Sequence, residues 1–267
     1  MTKILLILSL LFFTGYASGQ ECEYAEYFRL TDLAKNDYKK KNFENAKSNF
    51  KLAFEQSVFP HGHDLSYALL AANEIRENQW AGHIAKKLAQ GGIPLRYFSK
   101  FKKKKWYAKF ESDFPKYSQH YKDNFDVEMR NSFLTISKED LNFTDKYHHW
   151  REHKIELTLQ ELVDGATMRL TNFMDFNKKY GFPNEQKMGY NYVRHKNRIE
   201  HFPVLVLMIH IYQTGTRIFK DDIRSIVCKG SLHPSFEDTL KKIYGFGDST
   251  GVPQEMKVRY KKYRGTE

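Results

Sequence analysis

DYKKKNFENAKSNFKLAFEQSVFP, residues 37–60, reads as one helix with stop signals at both ends. Ala46, Phe50 and Ala53 fall at i, i+4 and i+7, a single stripe of a 3.6-residue helix. Asn42 and Phe43 break the helix before it, and Pro60 closes the unit. The alanines carry the argument, because two helices approach closely only where short side chains face each other. The stretch is therefore the second half of a helix–turn–helix unit. Its first half is the stripe Tyr27, Leu30, Ala34 and Tyr38.

A second unit echoes the first. Asp64 is placed to cap a third helix carrying Leu65, Ala68, Leu69 and Ala72. A fourth carries Ala81, Ala85, Leu88 and Ala89 and stops at Gly91 and Gly92. Ala46 and Ala81 stand 35 residues apart, and Pro60 and Pro94 stand 34 apart. Residues 20–97 thus resemble tetratricopeptide (TPR) repeats, whose A-x3-F…P signature is met by Ala46, Phe50 and Pro60. The second copy has Ala85 in place of the phenylalanine. Two copies leave an open end, so the rest of the chain is expected to cap the array. The resemblance implies protein or peptide binding, or a scaffold for the C-terminal half. The lysine-and-asparagine pattern of the carboxylate-clamp subset is absent, with Thr31 and Lys35 at those places.

The chain has 267 residues, 15% aromatics and a formal net charge of +11, enough for one large or two modest folded units. Residues 1–19 read as a secretory signal peptide: Lys3, a ten-residue apolar run from Ile4 to Phe13, then Ala17-Ser18-Gly19 before a cleavage point at Gln20. The apolar run is about half a membrane span. Export to the periplasm or beyond the cell is expected, soluble after cleavage, with the membrane touched only peripherally and no nucleic-acid partner. Glu21 before Cys22 breaks a lipobox. Cys22 and Cys228 are the two cysteines, and the sequence leaves both a disulfide and two free thiols open.

The basic segment 98–124 holds Lys102, Lys103, Lys104 and Lys105 before Trp106, either a phosphate-tracking patch or a solvated face with Phe101 and Trp106 turned inward. Lys109 to Phe133 has apolar residues at mixed helical spacing, and residues 125–256 read as helical, with Ser137 to Asp140 as a capping-box-like start. Leu159, Leu162, Val163, Ala166, Leu170, Phe173 and Met174 form a long stripe that ends at Tyr180-Gly181-Phe182-Pro183. Val204 to Tyr212 is apolar all round, a buried central helix or strand. Short helices over 221–229 and from Pro234 precede a basic tail, 257–267. The order Asp164, Gly181-Phe182-Pro183, Glu185, Gly189, His210 and Gly230 is similar to a bacterial domain of unknown function of the DUF6624 type, over about residues 125–250. Ile209 and Tyr212 depart from its pattern, and the resemblance brings no catalytic residues with it. The fold class expected is all-α, TPR-like repeats packed on a helical C-terminal domain.

Chemistry is thinly signalled. His149 and His153, four apart on an expected helix with His148 beside them, have metal-ligand spacing, but Trp150 stands where a zincin carries glutamate. His61 and His63 form a further pair near a loop. His195, His201 and His210 flank or enter the apolar helix, and His210 is a candidate proton-transfer residue with Glu185 or Glu200 to orient it. No phosphate loop, nucleophile elbow or dinucleotide fingerprint occurs, and no cofactor is expected. The expected function is an exported interaction module or scaffold. A histidine-based envelope hydrolase is the alternative, and binding of an anionic polymer or lipid surface comes third.

Overall fold

Helix α1 (Ala25–Lys39) and helix α2 (Phe43–Glu55) are joined by three residues, with Lys41 at φ +64 to make the turn. Ala34, Ala46, Phe50 and Ala53 are sealed between them, as the stripes predict. Helices α3 (Gly62–Glu74) and α4 (Asn78–Gln90) repeat the arrangement, and each of the four packs on the next. The computed structural model describes Cys22 and residues 24–246. The expected signal peptide, residues 1–19, and the expected basic tail, residues 257–267, lie outside the described residues. Among the described residues no helix is long and apolar enough to cross a membrane.

Residues 98–124 are built into the first core. A short helix α5 (Leu95–Phe98) and a 3-10 turn lead to α6 (Tyr107–Asn124), which packs on α4. Phe98, Phe101, Trp106, Tyr107 and Phe110 are buried there, while the four lysines face solvent. Trp106 donates its indole N–H to Asn73 Oδ1 at 3.1 Å, and Lys104 reaches the Asn73 carbonyl at 3.2 Å.

Two long helices come next, α7 (Val127–Arg151) and α8 (Leu159–Tyr180). Residues 109–133 are helical, as their spacing implies, with a break at Phe125 and Asp126, where Asp126 caps α7 by accepting from the Met129 N–H at 2.7 Å. Ser137 and Asp140 therefore lie inside α7, not at a helix start. Their burial on its inner face overrides the local capping pattern. Helix α8 opens on a reciprocal Thr158–Glu161 capping box and stops at Gly181, φ +80. A single turn α9 (Glu185–Met188) leads into a hairpin of β1 (Asn191–Val193) and β2 (Arg198–Glu200), with Tyr192 opposite Ile199. This hairpin, not expected from the sequence, is the one departure from a wholly helical chain among the described residues. The apolar run forms helix α10 (Val204–Gln213), then come α11 (Ile223–Cys228) and α12 (Pro234–Phe246). Helices α7, α8, α10, α11 and α12 share a second core around Phe133, Phe173, Leu207 and Met208.

Several ties bind the halves. Tyr190 and Ile199 of the C-terminal half belong to the first core. The Tyr190 N–H donates to the Gly91 carbonyl at 2.7 Å, and its hydroxyl donates to the Pro60 carbonyl at 3.1 Å. Cys22 and Cys228 form a disulfide across 206 residues of sequence, which decides between the two possibilities left open above. Reducing it frees a very long loop, so a loss of about 2–5 kcal/mol is expected. Urea denaturation with and without reductant measures this; coincident curves would show that the native contacts alone hold the ends.

Candidate functional site

The loop Phe59-Pro60-His61 sets the first side chain. His61 is extended (φ −67, ψ 143) and stands just before α3, so the first amides of that helix are free to bind acceptors. The His61 N–H donates to the Tyr27 hydroxyl at 2.8 Å. The Gly62 N–H donates to Glu185 Oε2 at 2.7 Å. A carboxylate at a helix N-terminus is favoured by the helix dipole. Glu185 itself is fixed by the Pro183-Asn184 turn, where Asn184 caps α9 through the Lys187 N–H. His201 comes directly after β2, and its carbonyl accepts from the Asn191 side chain at 3.2 Å.

These elements bring His61, Glu185 and His201 together, with one ligand atom from each within 4.8 Å of the others. His61 Nδ1 lies 3.4 Å from Glu185 Oε2, and His201 Nδ1 lies 3.8 Å from Oε1. Neither ring nitrogen of His61 is hydrogen-bonded, nor is Glu185 Oε1, and all three atoms are buried. An unmet buried polar atom costs about 1–3 kcal/mol, so native folds seldom keep several in one place. The Phe28 ring stacks on His61 at 5.6 Å. The three residues edge a cavity, also lined by Phe28, Phe202 and His233, with about 30 Å³ open to the centre of a water molecule.

Beside it runs a line of charges. Asp64 is 2% exposed; it accepts from the Tyr27 hydroxyl at 2.8 Å and pairs with Lys35 at 3.2 Å. It does not cap α3, because its side chain turns toward α1 instead. Lys35 also pairs with Asp32 at 3.0 Å, and Asp32 lies 3.3 Å from His233 Nε2. Burial opposes the Asp64 carboxylate, but Lys35, His61, His201 and the Tyr27 hydroxyl together outweigh it and hold the pKa below the usual range. Burial likewise opposes Lys35, and its two carboxylates hold it above the ordinary lysine value. Burial disfavours the His61 imidazolium, yet Glu185 more than compensates and raises its pKa. Burial lowers His63, and it lowers His201 to about 4 against the pull of Glu185. The pocket therefore brings two imidazoles and one carboxyl group together, a set suited to proton exchange or to metal ligation.

The residues singled out from sequence are distributed differently. His210 meets neither Glu185 nor Glu200. Its Nδ1 lies 2.8 Å from Asp140 Oδ2 and 3.3 Å from the Thr144 hydroxyl. Asp140 is also ion-paired with Arg169, and Arg169 donates to Thr144 at 2.9 Å. Glu200 pairs with Lys196 and Arg198 on its own hairpin. His149 and His153 are exposed, and α7 ends at Arg151, so the expected shared helix face does not form; His153 stands beyond it at φ +55. Of the pair His61 and His63, expected only near a loop, the first enters the pocket, and the second lies 4.9 Å from His201 between ring centres. Comparison with family models, with curated proteins and with solved structures finds no match to this chain.

Proposed function

We propose that the protein is an exported helical scaffold. Its TPR-like half holds the C-terminal helices so that the histidine–carboxylate pocket assembles between them, and it works at that pocket, not by gripping a peptide in an open groove. One observation carries this reading. Helix α3 is the first helix of the second pair, and so would line such a groove, but nine of its 13 residues are buried. The chain's own β2 and Tyr190 lie against it. The clamp places are likewise filled, since Thr31 is buried and Lys35 is held by two carboxylates. Hydrogen exchange tests the point. The α3 amides are expected to exchange as slowly as those of α8 in the free protein. Fast exchange in α3 that slows only when a partner is added would restore the open-groove reading.

A histidine-based hydrolase is favoured by one contact, His210 to Asp140. The bond at Nδ1 leaves Nε2 as the nitrogen that takes a proton, and the carboxylate stabilises the charge that forms. Expected for that reading is a hydrolytic activity lost in His210→Gln with an unchanged circular dichroism spectrum. Loss of the fold together with the activity would make His210 a structural tie between α7 and α10.

A further inference from the structure

We propose that His61, Glu185 and His201 bind one divalent transition-metal ion of the zinc class, with a further coordination position opening on the adjoining cavity. This rests on the reading that the pocket is the working part of the scaffold.

The donor set comes first. Two imidazoles and one carboxylate suit zinc, cobalt or nickel, whereas magnesium and calcium prefer all-oxygen shells. Three protein ligands are one short of a closed tetrahedral site, the pattern of ions that keep an exchangeable water. The cavity has room for that water and for little more.

Satisfaction of polar atoms is the second line. His61 presents two buried ring nitrogens without a hydrogen bond, and Glu185 presents one such oxygen. The other Glu185 oxygen is already held by the Gly62 N–H, which would orient the carboxylate for single-point ligation through Oε1. A cation between the three would meet one His61 nitrogen and the free Glu185 oxygen together. The local charge agrees, because the one Lys35 ammonium stands against the carboxyl groups of Asp32, Asp64 and Glu185.

Geometry sets what must move. Ligand bonds of about 2.0–2.2 Å in a tetrahedral site place donor atoms roughly 3.4 Å apart, so a spread of up to 4.8 Å must close by up to about 1.4 Å. His201 is the ligand free to do so. It sits in a loop and its side chain is 36% exposed, while the other two are nearly sealed.

The experiment is a zinc titration of the purified chain after chelator treatment, read by calorimetry, with cobalt absorption to report coordination number. One equivalent per chain is expected, with a four-coordinate cobalt spectrum. His201→Ala, at a partly exposed position, and Glu185→Gln, which keeps an acceptor for Gly62, are each expected to weaken zinc binding at least 100-fold. His149→Ala with His153→Ala is expected to leave it unchanged. Zinc bound equally by the His201 and Glu185 variants, or lost with the surface pair, would overturn the site. So would no binding tighter than millimolar. Exchange of α3 is measured independently, so an open groove with an intact zinc site, or a covered groove without one, shows which of the two readings fails.

Discussion

Asp64→Ala is expected to cost about 3–5 kcal/mol, because it strands a buried lysine and a buried hydroxyl at once. Lys35 would keep only Asp32, whose carboxylate is half open to water, and the Tyr27 hydroxyl would lose its acceptor. Tyr27 also receives the His61 N–H, so the loop that carries His61 should loosen too. Asp64→Asn keeps the acceptor and loses the charge, and is expected to cost less. Adding Lys35→Met to Asp64→Ala should recover part of the loss, since an apolar pair of similar volume no longer buries an unmatched charge. The pH dependence has a definite sign. Folding holds the Asp64 carboxyl below its unfolded value, so the folded state binds fewer protons. This stability is complete above the unfolded carboxylate range, near pH 4, and is lost as pH falls through the folded value. His201 adds to the same slope earlier, between about pH 6.5 and 4, though partial exposure keeps its share small. His61 works oppositely, contributing below its unfolded value and losing that contribution as pH rises through its raised one. Urea melts of wild type and Asp64→Ala from pH 7 to 3 should converge toward acid. A constant gap between the curves would mean that the ion pair is not what the substitution removes.

The helices were legible because their signals are local. A stripe at i, i+4 and i+7, a glycine stop and an N-terminal proline each lie within a few residues, and α2, α8 and α12 all carry such signals. Asp64 and the Ser137–Asp140 pattern misled for one reason: a residue of capping type can be recruited by tertiary contacts, and both aspartates are the carboxylate of a buried cluster. The pocket was illegible for a different reason. Its ligands stand at 61, 185 and 201, with no spacing that any motif encodes. Each was visible alone, but only the turn at Pro183 and the hairpin bring them together. The hairpin itself hides in Tyr190 to His201, where strands of three residues are too short for alternation to register.

Tyr190→Ala is expected to have the widest consequences of any single change, about 3–5 kcal/mol from the lost ring alone. The ring fills a slot that only two glycines permit. A Cβ on Gly62 would fall 2.6 Å from ring carbons of Tyr190, and one on Gly91 would fall 2.3 Å from them. Gly91 has ordinary backbone angles (φ −90), so Gly91→Ala is a test of space, not of backbone strain. Overpacking of that kind costs about 1–3 kcal/mol. The two losses should not add. With the ring gone, the new methyl group has room, and Gly91→Ala in the Tyr190→Ala background should cost little or even restore a few tenths of a kcal/mol. That cycle separates a filled slot from two unrelated weak points. Additive losses would show that the ring and the glycine do not oppose each other in solution. The same cycle reaches the pocket, because the Tyr190 hydroxyl holds the Pro60 carbonyl, one residue before His61. If the slot positions His61, zinc affinity should fall in Tyr190→Ala and recover little in the double variant. Tyr190→Phe, which keeps the ring but not the hydroxyl, should show a smaller loss of affinity and cost about 1 kcal/mol of stability, for the Pro60 carbonyl left without its donor. The hairpin thus joins fold and site through one residue: the ring seals the repeat-like core, and the hydroxyl sets the loop from which His61 enters the pocket.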